Sequence, residues 1–180
     1  MFGDHDARSV HWSDEHGQQT RFLILSQIAN LNHQSVLDVG CGLGDLYDFL
    51  KKQNLEVDYT GIDIVPEFIE KAKIRFPEVN FKVQSMEDLD EQYDFVLASG
   101  VLSFKITDHK TFYFSMIEKM FAASKKGLAF NMLNNKTHID DDTYAAYDTD
   151  EVMSFCKTLS DNVQIVIGYL PQDFTIYMYK

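Results

Sequence analysis

The run Val36-Leu37-Asp38-Val39-Gly40-Cys41-Gly42-Leu43-Gly44 passes from an apolar strand into a glycine-rich turn, and Asp63 follows 23 residues after Gly40. That acid closes a second apolar run, Tyr59-Thr60-Gly61-Ile62-Asp63-Ile64. A buried strand that turns sharply into a helix goes through backbone angles that a Cβ resists, and a ligand lying against bare main chain needs the same freedom. Gly40, Gly42 and Gly44 suit such a turn. A carboxylate at the tip of the neighbouring parallel strand accepts two hydrogen bonds from a ribose diol, and Asp63 stands where that acceptor is needed. The pairing predicts a parallel α/β sheet holding a nucleoside-bearing ligand.

Two ligand classes use this layout, and the glycine spacing helps to separate them. A dinucleotide site usually reads Gly-x-Gly-x-x-Gly, with a helix N-terminus facing a pyrophosphate. Here the third glycine comes one residue early and Asp38 stands two residues before the first, where it would repel a pyrophosphate. A cationic sulfonium with an ammonium group tolerates that acid, so S-adenosylmethionine is the favoured ligand.

The stretch Val36 to Leu46 resembles the first motif of class I S-adenosylmethionine-dependent methyltransferases, and Tyr59 to Ile64 is similar to their second. Phe81-Lys82-Val83-Gln84-Ser85-Met86-Glu87-Asp88-Leu89 resembles their adenine-contacting segment. Tyr93-Asp94-Phe95-Val96-Leu97-Ala98-Ser99-Gly100 resembles their fourth strand and its tip. Four motifs in the family's order span residues 35 to 104 and suggest a small, single-domain member of bacterial type. The resemblance implies a Rossmann-like, seven-stranded, mostly parallel sheet with a C-terminal antiparallel hairpin and helices on both faces. It implies cofactor contacts from Asp38, Gly40, Cys41, Gly42, Gly44, Asp63, Ile64, Ser85, Met86, Glu87, Ala98 and Ser99. Ile64 and Met86 would sandwich the adenine. Many family members carry Asp where Ser85 stands, so the partner of the adenine amino group is left open between Ser85, Glu87 and a water. The fourth motif lacks an Asn-Pro-Pro-Tyr type signature, which argues against amino groups of nucleic-acid bases or glutamine side chains as acceptors.

At 180 residues and 45% apolar composition the chain has enough material for one substantial core, and a single domain over residues 1–180 is expected. A formal net charge of −12 opposes binding to polyanions, which rests on a basic face, so nucleic acid is not an expected partner. Cys41 and Cys156 form no Cys-x-x-Cys pair and have no matching histidine cluster, so free thiols in a reducing compartment and no metal are expected. The sequence has no bilayer-length apolar run and no signal-type start, which suggests a cytoplasmic protein without a membrane partner.

Periodicity gives a helix from about Gln18 to Asn30 and then an alternating series. It runs strand 35–39, helix 44–53, strand 56–62, helix 66–75, strand 79–83, strand 94–98, helix 108–123 and strand 127–132. Pro66 and Pro77 bracket the 66–75 helix, where proline is tolerated. Residues 134–148 read as a polar insertion near the acceptor site, followed by a helix opened by Asp148 or Thr149. Strands Val163–Gly168 and Phe174–Tyr179 close the chain. The N-terminal segment and helix, residues 1–30, carry Trp12 as a candidate flap over the cofactor and Arg21 as a candidate partner for the methionine carboxylate.

Ser99 and Gly100 sit at a strand tip, where ligands of open parallel sheets collect. Asn131, Asn134, Asn135 and His138, with Tyr144 and Tyr147, are candidates to face the acceptor; the alternatives are solvated loop side chains and core cover. Aspartates 140 to 142 read as a solvated run. Three functions compete: methyl transfer to a small molecule at O, N or S, a sensor or partner domain that binds the cofactor without transfer, and a nicotinamide dehydrogenase. An open space beside the sulfonium would favour transfer, and a filled one the binding domain.

Overall fold

A computed structural model describes residues 15–138 and 142–180. Trp12 and most of the proposed N-terminal flap, together with Asp140 and Asp141, lie outside the described residues. The chain runs α1 (Glu15–Ser26), β1 (Ser35–Val39), α2 (Asp45–Lys52), β2 (Asp58–Asp63), α3 (Pro66–Arg75), β3 (Asn80–Val83) and β4 (Tyr93–Ala98). It continues through α4 (His109–Ala123), β5 (Ser124–Asn134), β6 (Ala146–Tyr147), α5 (Thr149–Leu159), β7 (Asn162–Ile167) and β8 (Asp173–Tyr179).

Seven strands lie in the order β3-β2-β1-β4-β5-β8-β7, parallel from β3 to β5 and antiparallel where β8 meets β5 and β7. This is the expected Rossmann-like sheet with its closing hairpin. One addition was not expected: β6 pairs with Leu133 and Asn134 of β5, beyond the end of β4, and makes an eighth strand. Because successive strand residues point to opposite faces, each strand feeds two separate cores. Val36, Tyr59, Phe81, Phe95, Leu97, Ala129 and Tyr177 pack with Phe22, Leu25, Leu46, Phe49 and Ile69 from α1–α3. Leu37, Val39, Ile62, Val96, Ala98, Leu128, Phe130, Ile176 and Met178 pack with Tyr113, Ile117, Met120, Val152 and Cys156 from α4 and α5. Gly61 is held to glycine by closeness, since a Cβ there would lie 2.7 Å from the Phe81 ring and 2.9 Å from Cys41 Sγ.

Several boundaries differ from expectation. α1 ends at Ser26, four residues early, because Ser26 Oγ turns back to the Leu23 carbonyl and the next amides bond only three residues back, Gln27 to Ile24 and Ile28 to Leu25. β5 is longer at both ends than the apolar run suggests, because β8 pairs with it as far as Leu133 and Ser124 pairs with Tyr93. Asp148 settles the start of α5 by accepting the Asp150 and Glu151 amides at 2.8 and 3.1 Å. No helix among the described residues is long and apolar enough to cross a membrane.

Strand order reverses at β1, with β2 and β3 to one side and β4 to the other. The carboxyl ends of β1 and β4 therefore flank a crevice, the place where open sheets of this kind take ligands.

Candidate functional site

A cavity of about 900 Å³ occupies that crevice. One end is bordered by Asp38, Gly40, Cys41, Gly42, Asp63, Ile64, Ser85, Met86 and Glu87, and Ser99 and Gly100 stand in the middle. Gly40, Gly42 and Gly44 have φ of 72°, 53° and 80°, so the turn takes the left-handed path that glycine permits. The Gly40 and Cys41 amides both donate to the Ile62 carbonyl, at 2.9 and 3.0 Å, which ties the turn to β2. A Cβ on Gly40 would meet Val101 at 2.9 Å, so the β1 and β4 tips approach closely here.

Asp63 holds this corner together. Its Oδ2 accepts the Gly42 amide and its Oδ1 the Val65 amide, both at 2.9 Å, binding the glycine turn to the entrance of α3. Asp63 borders the cavity, and each carboxylate oxygen keeps a further lone pair with which to accept. Ile64 beside it is 72% exposed on the rim, an apolar surface that a flat base would cover, and Met86 is buried across the wall. Ser85 lines the cavity and donates its hydroxyl to Asp88 at 2.8 Å, which leaves Oγ as an acceptor. Glu87 pairs with Lys119 at 3.3 Å.

Asp38 is buried on β1 and accepts the Tyr59 hydroxyl. Burial pushes its carboxyl up to about 7; the Tyr59 hydrogen bond opposes this, and the charges of Asp63 and Asp45 add to it. No cation among the described residues contacts it. Below about pH 4 both folded and unfolded chains hold the proton, and between about 4 and 7 the unfolded chain releases it first. Asp38 therefore costs stability as pH rises through that window, and the cost levels off above it. Thermal melts at pH 5 and pH 8 test this: wild type should lose stability between them relative to Asp38→Asn, which cannot ionise. Parallel curves for the two proteins would contradict the shift. Burial also pushes the Cys41 thiol far above its usual range, so it stays protonated.

Two expected cofactor residues lie off the cavity lining. Gly44 does not border the cavity; it faces α3 and β3, where a Cβ would lie 2.9 Å from the Phe81 ring and 3.2 Å from Phe76. Ala98, as the last residue of β4, points into the α4–α5 core and also misses the cavity. Arg21 does border the cavity, but its Nε and Nη2 clasp Asp173 at 2.8 and 2.9 Å.

On the acceptor side, Asn131, His138 and Tyr144 reach the cavity. Asn131 is spent on structure, its Oδ1 accepting the Gly100 amide at 2.8 Å and its Nδ2 donating to Ser99 Oγ at 3.3 Å, so it fixes the β4 tip. Asn134 and Asn135 do not border the cavity, and Asn134 instead turns the chain by accepting the Thr137 and His138 amides. Tyr147 is buried against His109 and Tyr113. Phe104, Ile106, Phe112, Met116, Leu133, Gln172 and Asp173 line the space and were not anticipated. Phe112 and Met116 follow a helical i, i+4 spacing, a signal that reads equally well as core.

The methyltransferase domain family profile matches residues 30–170. The chain belongs to the methyltransferase domain family. Its motifs and fold are those of the class I S-adenosylmethionine-dependent members. It is 32% identical over 155 residues to a Mycobacterium tuberculosis protein described as a methyltransferase, covering 81% of this chain and 93% of that protein. Over 90 residues it is 38% identical to the ubiquinone biosynthesis O-methyltransferase of Xylella fastidiosa, spanning 43% of this chain and 36% of that one. Among solved structures, magnesium protoporphyrin IX methyltransferase from Synechocystis with bound cofactor superposes with a TM-score of 0.70 at 17% identity, over 97% of this chain and 82% of that one. A plantazolicin methyltransferase reaches a TM-score of 0.73 at 12% identity, over 92% and 86% of the two chains. At these identities the structural likeness speaks for the fold.

The methyltransferase site fits S-adenosylmethionine and does not fit a dinucleotide. Asp38, Asp45, Asp63 and Glu87 all border the cofactor end, and Asp45 at the start of α2 is held by Arg75 at 2.6 Å. A pyrophosphate at that helix start would meet carboxylates. A buried Asp38 with no cation beside it among the described residues suits a positively charged ligand.

Proposed function

We propose that this methyltransferase transfers the methyl group of S-adenosylmethionine to a small-molecule acceptor at O, N or S, held in the same cavity, in the cytoplasm. The observation that carries the reading is the cavity itself, which runs past the cofactor residues and the β4 tip to a second wall. At about 900 Å³ it lies near the top of the roughly 300–1,000 Å³ range for small-molecule sites, which leaves room beside a nucleoside. An open second compartment is what a transferase needs and a binding-only domain does not.

When bound, S-adenosylmethionine supplies a methyl group already activated by the sulfonium charge, so transfer is an in-line displacement. The chain's own task is positioning and exclusion of water, which contributes several kcal/mol to lowering such a barrier. Asp63 orders the glycine turn and offers lone pairs to the ribose. Ile64 and Met86 offer apolar faces to the adenine. Asp38 places negative charge below the turn, and Asn131 holds Ser99 and Gly100 where the two reactants would meet. A dedicated base is required only if the acceptor must lose its proton during attack.

Calorimetry with S-adenosylhomocysteine, followed by an assay for its formation from S-adenosylmethionine across a panel of neutral and charged metabolites, tests the proposal. Tight binding with turnover on at least one acceptor supports it. Tight binding with no turnover on any of them would favour the sensor reading, and affinity for a nicotinamide dinucleotide instead would sink both.

A further inference from the structure

The wall facing the cofactor end has its own chemistry. Phe104, from the loop after β4, and Tyr144, from the segment before β6, are joined by a backbone bridge, and their rings lie 5.6 Å apart. Tyr113 donates its hydroxyl to the Phe104 carbonyl at 2.7 Å, which fixes this wall and leaves the phenol ring rather than the hydroxyl turned to its surroundings. Ile106 and Phe112, both on the cavity, remain 41% and 43% exposed, and Met116 follows one turn along α4 from Phe112. Large apolar side chains left open around a cavity mark a surface that a ligand covers.

Charge is balanced within this half. Among the described lining residues its acidic and basic side chains are Arg21 and Asp173, closed on each other in a bidentate pair, and the imidazole of His138; Lys119 lies toward the adenine end and pairs with Glu87. A cationic acceptor would find the one carboxylate of this half already clasped by Arg21, and an anionic one would find the His138 imidazole in place of a permanent cation, so burying an ionised acceptor there is costly. The polar groups near the β4 tip are neutral hydroxyls: Ser99 Oγ accepts from Asn131, and Ser103 Oγ accepts the Leu133 amide at 3.2 Å, so each keeps its own hydrogen to donate.

We propose that the acceptor is an uncharged aromatic hydroxyl compound, its flat body among Phe104, Ile106, Phe112, Met116 and Tyr144 and its hydroxyl turned to the β4 tip at Ser99. The inference rests on the transferase reading above and names its substrate class. Aromatic walls favour a ring over a flexible chain because ring faces and edges attract in offset and tilted contacts, and a rigid ring loses little freedom on binding. In the transfer, the hydroxyl oxygen's lone pair forms the new bond to the methyl carbon while the carbon–sulfur pair returns to sulfur. The products are an aryl methyl ether, a neutral thioether and one proton, which leaves to water at the cavity mouth.

The test uses the full chain loaded with S-adenosylhomocysteine and three probes followed by calorimetry: 2-naphthol, 2-naphthoate and 1-decanol. 2-Naphthol should bind at least about tenfold tighter than either of the others. Phe112→Ala and Ile106→Ser should each weaken 2-naphthol by about tenfold while leaving S-adenosylhomocysteine affinity within about twofold. Equal binding of decanol would overturn the aromatic assignment, and tighter binding of naphthoate the uncharged one. Absence of 2-naphthol binding to the loaded protein would overturn both. Failure to load with S-adenosylhomocysteine would instead strike the transferase reading, so the two failures are separable.

Discussion

Asp63→Ala is expected to weaken S-adenosylhomocysteine binding by about two orders of magnitude or more. Asp63 sits between the glycine turn and α3, accepting the Gly42 and Val65 amides at 2.9 Å. With its remaining lone pairs it is the acceptor proposed for the ribose diol. Hydrogen bonds to a charged group contribute about 1.5–3 kcal/mol each, so losing two to the ligand removes at least about 3 kcal/mol, and each 1.4 kcal/mol is tenfold in affinity. The turn loses its anchor in the same variant, which adds a cost of reordering on binding. Asp63→Asn retains one carbonyl oxygen and should fall between wild type and Ala. Calorimetry gives the affinities, and a thermal melt of each apo variant separates loss of the ligand contact from loss of fold. A variant that melts lower yet binds with unchanged affinity would remove Asp63 from the ribose role and leave it a purely structural tie.

The part of this site that could be read along the chain is the part built from contiguous residues. β1, the glycine turn and the β2 acid are all local, and each announces itself by residue type: glycine where φ is positive, apolar residues where both sheet faces are covered, a carboxylate at a strand tip. The parallel sheet with helices on both faces followed from the alternation of strands and helices, because parallel strands need crossovers. What escaped was direction. Gly44 and Ala98 belong to the right motifs, yet the first faces Phe81 and Phe76 and the second faces the α4–α5 core, a matter of which side of a turn or strand a Cα presents. The acceptor wall escaped for a different reason. Phe104, Phe112 and Tyr144 come from three separate segments, and an aromatic residue on a helix or loop carries no mark that tells a cavity wall from a core. β6 is only two residues long and exists because β5 runs on past β4, which no pattern within Ala146–Tyr147 records.

The Arg21–Asp173 pair, whose members stand 152 positions apart, was equally invisible, and it leads to the largest expected effect on stability. The two side chains are 11% and 4% exposed and join α1 to the start of β8 on the cavity wall. Arg21→Ala should strand a buried carboxylate and destabilise the protein by about 3–5 kcal/mol, since the surviving charge keeps its desolvation cost and loses its partner. At about 2–4 °C per kcal/mol for a chain of this size, the melting temperature should drop by on the order of 10 °C. Replacing both residues, Arg21→Leu with Asp173→Leu, should recover most of that loss, because no buried charge is then left uncompensated. The double variant also separates two roles for Arg21. If the guanidinium only staples α1 to the sheet, restored stability should bring S-adenosylhomocysteine affinity back with it. If Arg21 also meets the carboxylate of the methionyl group, the double variant should melt near wild type and still bind weakly, and affinity that recovers in step with stability would exclude that second role.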